Sequence, residues 1–245
     1  MIPLRDENPS YSTPWVNYAL IAINVLVFLY EISLGQHALL HFLASYAVVP
    51  RHLLGAVGQV EHGHAVAPSA FVPVVTSMFM HAGWLHIAGN MLFLWIFGDN
   101  VEDRMGHVPY ACFYLLAGIV AAVAQALSAP MSTLPSLGAS GAIGGVLGAY
   151  IVLYPAARVF TLIFLGIFIT TARIPAWVFL GIWFVLQSVQ GLLTVGARTA
   201  NQGGVAFWAH IGGFLFGLAV GFVLKALPPP KPQRSPFADR WYSNR

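Results

Sequence analysis

Two side chains able to carry acyl transfer stand in apolar, glycine-rich company: Ser140 in SLGASGAIGGVLGAY and His210 in FWAHIGGFLFG. A serine hydroxyl is a weak nucleophile until a base takes its proton, and a neutral imidazole does so near pH 7. A third stretch, TSMFMHAGWLHIAGNMLFLWIFGDN, carries His86 and Asn90 four residues apart, which puts them on one helix face. Both can donate hydrogen bonds, as the oxyanion of a tetrahedral intermediate requires. His81 falls off that face, and a structural role is expected for it. His62 and His64 are joined by no carboxylate or cysteine set that would complete a metal site, and HExxH is absent. No metal or cofactor is expected.

Each residue also has a plainer reading. A serine in an apolar helix commonly bonds back to a carbonyl of its own helix, and a buried histidine can simply pair with a neighbour. Position favours chemistry for Ser140: it follows TLPSLGA and so opens its helix, where backbone N–H groups lack partners and the dipole is positive. Its own N–H is then available to an oxyanion. An ionisable group inside an apolar bundle marks a functional site by default, which favours His210. None of the eight Asp and Glu residues falls at the same depth in the second to sixth apolar segments, so a Ser/His dyad is expected rather than a triad.

The elements that must position these groups are apolar throughout. Of 245 residues 58% are hydrophobic and 8% charged, against about 25% charged in a soluble domain, so an all-α membrane protein is expected. The net charge of +3 does not indicate nucleic acid, because the basic residues form no run. The single cysteine, Cys112, excludes an internal disulfide and is expected to pack in the core.

Six apolar segments approach the length a bilayer requires: 17–34, 73–98, 107–128, 139–157, 174–194 and 204–225. Residues 1–16 form a polar N-terminal segment without the pattern of a removable signal peptide, so the first segment is expected to direct insertion itself. The tail, 226–245, is proline-rich and polar and is expected to be disordered. Residues 35–72 are expected to form a long outer loop, within which HALLHFLASYAVVPRHLLG suits a helix lying in the interface. Residues 158–173, apolar between two arginines, are short for a crossing and are expected to form a hairpin or re-entrant piece. Arg5, Arg104, Arg158, Arg173 and the five basic residues from Lys225 onward then lie on one side, with Arg51 and Arg198 on the other. That asymmetry places both termini in the cytoplasm.

With a rise of about 1.5 Å per residue, Ser140, His210 and His86 all stand ~20–22 Å above the inner ends of their segments, so one layer holds all three. Ser140, Gly144 and Gly148 repeat every four residues, with Gly141 and Gly145 beside them, and Gly213, Gly217 and Gly221 do the same in the last segment. Such small-residue ridges let helix backbones approach closely in lipid. Gly138, just before the serine, is expected to help packing at the site.

These motifs, HAGWLHIAGN, GASGAIGG and AHIGGFLFG in that order, resemble those of the rhomboid intramembrane serine proteases, and the resemblance covers residues 17–225. It implies a six-helix membrane domain, Ser140 as nucleophile, and His210 as general base. His86, Asn90 and the Ser140 N–H would form the oxyanion hole. Substrates would be transmembrane segments of other proteins, cut near their outer end with a preference for small residues and helix-weakening sequences, in a bacterial cytoplasmic membrane or an organelle. Two positions depart from the family pattern: the aromatic residue that often follows the serine by four is Gly144 here, and Arg51 follows VVP rather than tryptophan. The alternatives are a non-catalytic client-binding relative, against which retention of both Ser140 and His210 argues, and a transporter, for which no charged pathway is visible. Substrate identity and oligomeric state are left open.

Overall fold

The computed structural model describes residues 1–166, 168–194 and 206–228. A short strand, β1 (Ile2–Asp6), precedes α1 (Trp15–Ser33). Two smaller helices follow, α2 (Gln36–Tyr46) and α3 (Pro50–Glu61), separated at Val49 because Pro50 starts a new helix rather than continuing one. The interfacial stretch foreseen in 35–72 is therefore two helices.

The segment expected as one span at 73–98 is broken. A 3-10 turn (Pro68–Phe71), α4 (Val72–Thr76) and a second 3-10 turn (Ser77–Phe79) lead to α5 (Trp84–Met105), and the two halves meet at an angle of 81°. The break falls at Met80–Gly83, so α5 begins just before His86. At its far end Gly106, with φ +84°, ends α5 and lets α6 (His107–Ser128) start at once. Then come α7 (Ser140–Leu153), α8 (Ala176–Thr194) and α9 (Phe207–Ala226). Four of these helices, α1, α6, α8 and α9, are long and apolar enough to cross a membrane, and the bent pair makes a fifth candidate.

The all-α expectation needs one correction. Residues 158–173 take the hairpin of the two forms expected, and it is a β-hairpin: β2 (Arg158–Leu165) and β3 (Phe168–Pro175) pair antiparallel, and β1 pairs with β2 to give a sheet in the order β1–β2–β3. The residues that read as a short apolar run are largely β-branched or aromatic, the types that fit a pleated surface. The polar N-terminal segment is thus tied into structure, with Glu7 accepting an ion pair from Arg173 at 2.7 Å.

α7 is the centre of the molecule. Its Gly141–Tyr150 stretch is buried without a gap, enclosed by α5, α6 and α9. The core around it is built from Leu94, Phe97, Val101, Tyr110, Val146, Leu147 and Tyr150. A helix so enclosed need not reach the surface at both ends, which is why fourteen residues suffice. The outer helices instead expose an apolar belt that includes Leu26, Leu116, Val185, Leu193 and Phe222, the surface that lipid rather than water covers. Cys112 belongs to that outer side: it is exposed on α6, not packed in the core. The tail beyond residue 228 lies outside the described residues.

Candidate active site

The three separated motifs open three helices. Ser140 is the first residue of α7, His86 the third of α5 and His210 the fourth of α9. The common layer inferred from helical rise is therefore a layer of helix N-termini, whose N–H groups have no partners within their own helices.

Ser140 and His210 meet. The serine Oγ lies 2.7 Å from His210 Nε2, and His210, 8% exposed, has its other ring nitrogen, Nδ1, 2.7 Å from Gln187 Oε1 on α8. What brings α7 and α9 together is the absence of side chains between them. A Cβ at Gly144 would stand 2.9 Å from the carbonyl oxygen of His210, and Cβ atoms at Gly213 and Gly217 would collide with the carbonyls of Gly141 and Gly145. Any larger residue at these positions would force the helices apart and lengthen the Ser140–His210 distance. From α6, Gln125 Oε1 accepts the Ala209 N–H at 3.3 Å, a second acceptor for a donor that also meets the Ala206 carbonyl at 3.0 Å, and so ties α6 to the first turn of α9.

Gly138 does something other than helix packing. It lies in the chain leading to Ser140 with φ +131°, its N–H donates to the Ser77 carbonyl at 2.8 Å, and a Cβ there would stand 2.8 Å from His86 Cε1 and Nε2. The glycine therefore lets the His86 ring edge lie beside Ser140, whose Oγ is 3.5 Å from the same point. The Ala82 N–H donates to His86 Nδ1 at 3.3 Å. With Nδ1 accepting, the proton of a neutral His86 resides on Nε2, one of the two ring atoms that lie against Gly138. One turn further along α5, Asn90 is buried with its amide nitrogen unpartnered. A buried donor without an acceptor is uncommon and costs about 1–3 kcal/mol.

His81 stands in the break before α5, buried, with its ring centroid 5.1 Å from that of His86 and its backbone N–H donating to Glu31 Oε2 at 3.1 Å. Glu31, in α1, meets only the backbone of His81 and not its ring. Beside Ser140 a cavity is lined mostly by small residues, Ser77, Gly118, Ala122 and Ser136 among them, with Val48 and Leu137 the bulkier exceptions beside Met78. The loop that lines it is held by Val48 pairing with Ser136.

Two participants were not foreseen from the sequence, Gln187 and Trp183. The Trp183 ring lies 5.9 Å from the His210 ring, tilted by 33°. The ring support that Gly144 cannot supply comes from α8 instead. The signal was present in WFVLQSVQGLL, where the two residues are four apart and share a face.

The sequence profile of the Rhomboid domain matches residues 68–227, from the first half of the bent pair through α9. Rhomboid protein 1, mitochondrial, of Saccharomyces cerevisiae is 26% identical over 231 residues, 92% of this chain and 58% of its own length. Rhomboid protease GluP of Bacillus subtilis is 30% identical over 236 residues, 91% of this chain and 42% of its own length. Presenilin-associated rhomboid-like protein, mitochondrial, of Mus musculus is 32% identical over 151 residues, covering 60% and 36%. The chain thus spans about half the length of the first two relatives, and its match to the domain takes in every helix that carries the site. It belongs to the rhomboid family.

Proposed function

We propose that this chain is an intramembrane serine endopeptidase that cleaves transmembrane segments of other proteins. The observation that carries the proposal is the 2.7 Å approach of Ser140 Oγ to His210 Nε2 at the buried N-terminus of α7. In this reading Nε2 takes the hydroxyl proton as Oγ attacks the scissile carbonyl. The oxyanion is met by His86 Nε2–H, Asn90 Nδ2–H and the Ser140 N–H, and His210 returns the proton to the departing amine. Water then hydrolyses the ester on Ser140, with His210 again as base. The cavity of small residues beside Ser140 supports a substrate with small side chains next to the cleaved bond.

The domain so assigned is residues 17–225, with α1, the bent pair ending in α5, α6, α7, α8 and α9 as six membrane helices and both termini cytoplasmic. Its preceding segment, 1–16, and the β2–β3 hairpin then lie on the same side, which the pairing of β1 with β2 supports. The relatives come from a bacterium and from mitochondria, so a bacterial cytoplasmic membrane is one of two settings for the same chemistry.

The test is cleavage of a model transmembrane substrate by purified protein in detergent. Wild type yields product, while Ser140→Ala and His210→Ala lose at least about 10⁴-fold in rate. Undiminished cleavage by a folded Ser140→Ala variant would reject the assignment. Absence of cleavage by wild type, together with no fluorophosphonate labelling of Ser140, would favour a client-binding protein.

A further inference from the structure

The dyad reading leaves the second nitrogen of the base without an assigned role, and the structure places a specific partner there. For Nε2 to accept the Ser140 proton, the ring must carry its own proton on Nδ1. A neutral imidazole with no partner at Nδ1 divides between two tautomers, and only one of them is a base toward the serine. Gln187 Oε1 stands 2.7 Å from Nδ1, and no other side chain among the described residues bonds to that atom. The amide oxygen accepts the Nδ1 proton and so selects the productive tautomer.

An amide in this position is also the economical choice for the surroundings. Gln187 interrupts the apolar run of α8, where a polar group without a partner is costly. A carboxylate would hold the same tautomer but would place a full charge in a low-dielectric layer, whereas the amide has none. Trp183, one turn earlier on the same face of α8, lies against the same imidazole ring. One helix therefore both orients the ring and sets its proton, while α7 and α9 set only its distance from Ser140.

We propose that Gln187 is a positioning residue that fixes His210 in the Nδ1–H tautomer, so that the dyad operates as a Ser140–His210–Gln187 chain braced by Trp183. The role rests on the protease reading above. It also makes the competence of the base depend on α8, which is less buried within the molecule than α6 or α9.

The test uses the full chain in detergent and compares Gln187→Leu with Gln187→Glu, with Gln187→Met replacing the leucine variant if that one fails to fold. Removal of the acceptor is expected to lower kcat on a model transmembrane substrate, and the rate of fluorophosphonate labelling at Ser140, by about 10- to 100-fold. KM is expected to stay within about twofold, since no substrate contact is lost. Gln187→Glu is expected to keep most of the activity, because its oxygen accepts the same proton; a merely space-filling glutamine predicts the opposite, since a charge there would do more harm than an apolar replacement. Wild-type kcat in a folded leucine or methionine variant, or a glutamate variant as slow as that one, would overturn the proposal. Nitrogen NMR of ¹⁵N-histidine-labelled protein supplies a readout independent of substrate: a single Nδ1–H tautomer at His210 in wild type and a mixture in the apolar variant. Wild type that neither cleaves nor labels rejects the protease reading, and the NMR result then still decides the role of Gln187.

Discussion

Glu102 and Asn90 are both buried on α5, near its two ends, and their polar atoms are treated in opposite ways. Glu102 is fully engaged: its carboxylate accepts the N–H groups of Val16 at 3.0 Å and Asn17 at 2.7 Å, capping the first turn of α1, and lies 2.5 Å from His107 Nδ1. Asn17 in turn accepts from the Tyr110 hydroxyl at 2.9 Å and donates to the Leu94 carbonyl at 3.0 Å. Asn90 has a buried amide nitrogen with no partner, and His81, in the break before the same helix, has two such ring atoms. Around Glu102 the polar groups mostly hold helices together, with Asn100 Oδ1 nearby the buried exception; the Asn90 end keeps donors uncommitted, at a cost in stability, close to Ser140. An oxyanion hole has to be of the second kind, because its partner exists only during the reaction.

The contrast can be broken most sharply at Asn90. Asn90→Ala is expected to reduce kcat by about 100- to 1,000-fold while leaving the unfolding free energy within about 0.5 kcal/mol of wild type or slightly above it, since no protein partner is lost. Parallel kinetics and thermal unfolding decide it, and a large drop in stability would move Asn90 into the structural class. Glu102→Ala should do the reverse. Two N–H groups at the start of α1 lose their acceptor, so stability should fall by about 3 kcal/mol, with kcat per folded molecule unchanged when activity is normalised to active-site labelling.

The smallest effect concerns Asp6, which accepts the Tyr150 hydroxyl at 2.5 Å. Burial pushes its carboxyl from the ordinary 3.8 up to about 6, the Tyr150 hydrogen bond opposing part of the rise. The folded chain therefore keeps a proton that the unfolded chain releases between about pH 4 and 6. Stability from this group is fully present below the unfolded value and is lost as pH rises through 6. Asp6→Asn should flatten that slope and raise stability at pH 8 by about 1–2 kcal/mol, as read by denaturant unfolding at pH 5 and pH 8. An unchanged slope would mean the carboxyl is as solvated folded as unfolded.

How far the sequence was legible follows from the range of the interactions. The apolar runs of α1, α6, α8 and α9 and the glycine spacing of α7 and α9 are local patterns, and they disclosed the helices and the meeting of Ser140 with His210. His86 and Asn90 were found because a helix face is also local. The bend at Met80–Gly83 was hidden because apolar residues continue through it, and hydropathy does not register the backbone angle. The sheet was hidden for a different reason: β2 completes its pairing with β1, nearly the whole first two-thirds of the chain away, and nothing near either strand announces the other. Gln187 was not legible because the third member of a catalytic chain is ordinarily an acid, although an amide oxygen accepts from the Nδ1 proton of an imidazole as well.

The three-stranded sheet also imposes an order on how the chain is made. Ile2 pairs with Leu162, so at ~5–20 residues per second of synthesis the first strand leaves the ribosome roughly 8–30 s before its partner exists. Through that interval α1 to α7 emerge while β1 remains an open edge, free to pair wrongly. The sheet closes only when the hairpin follows α7, and in closing it fastens a segment made about 160 residues earlier to a new part before α8 and α9 are complete. The nucleophile is thus in place early, and the helices that bring its base and the partner of that base, α9 among them to complete the enclosure of α7, are the last to arrive.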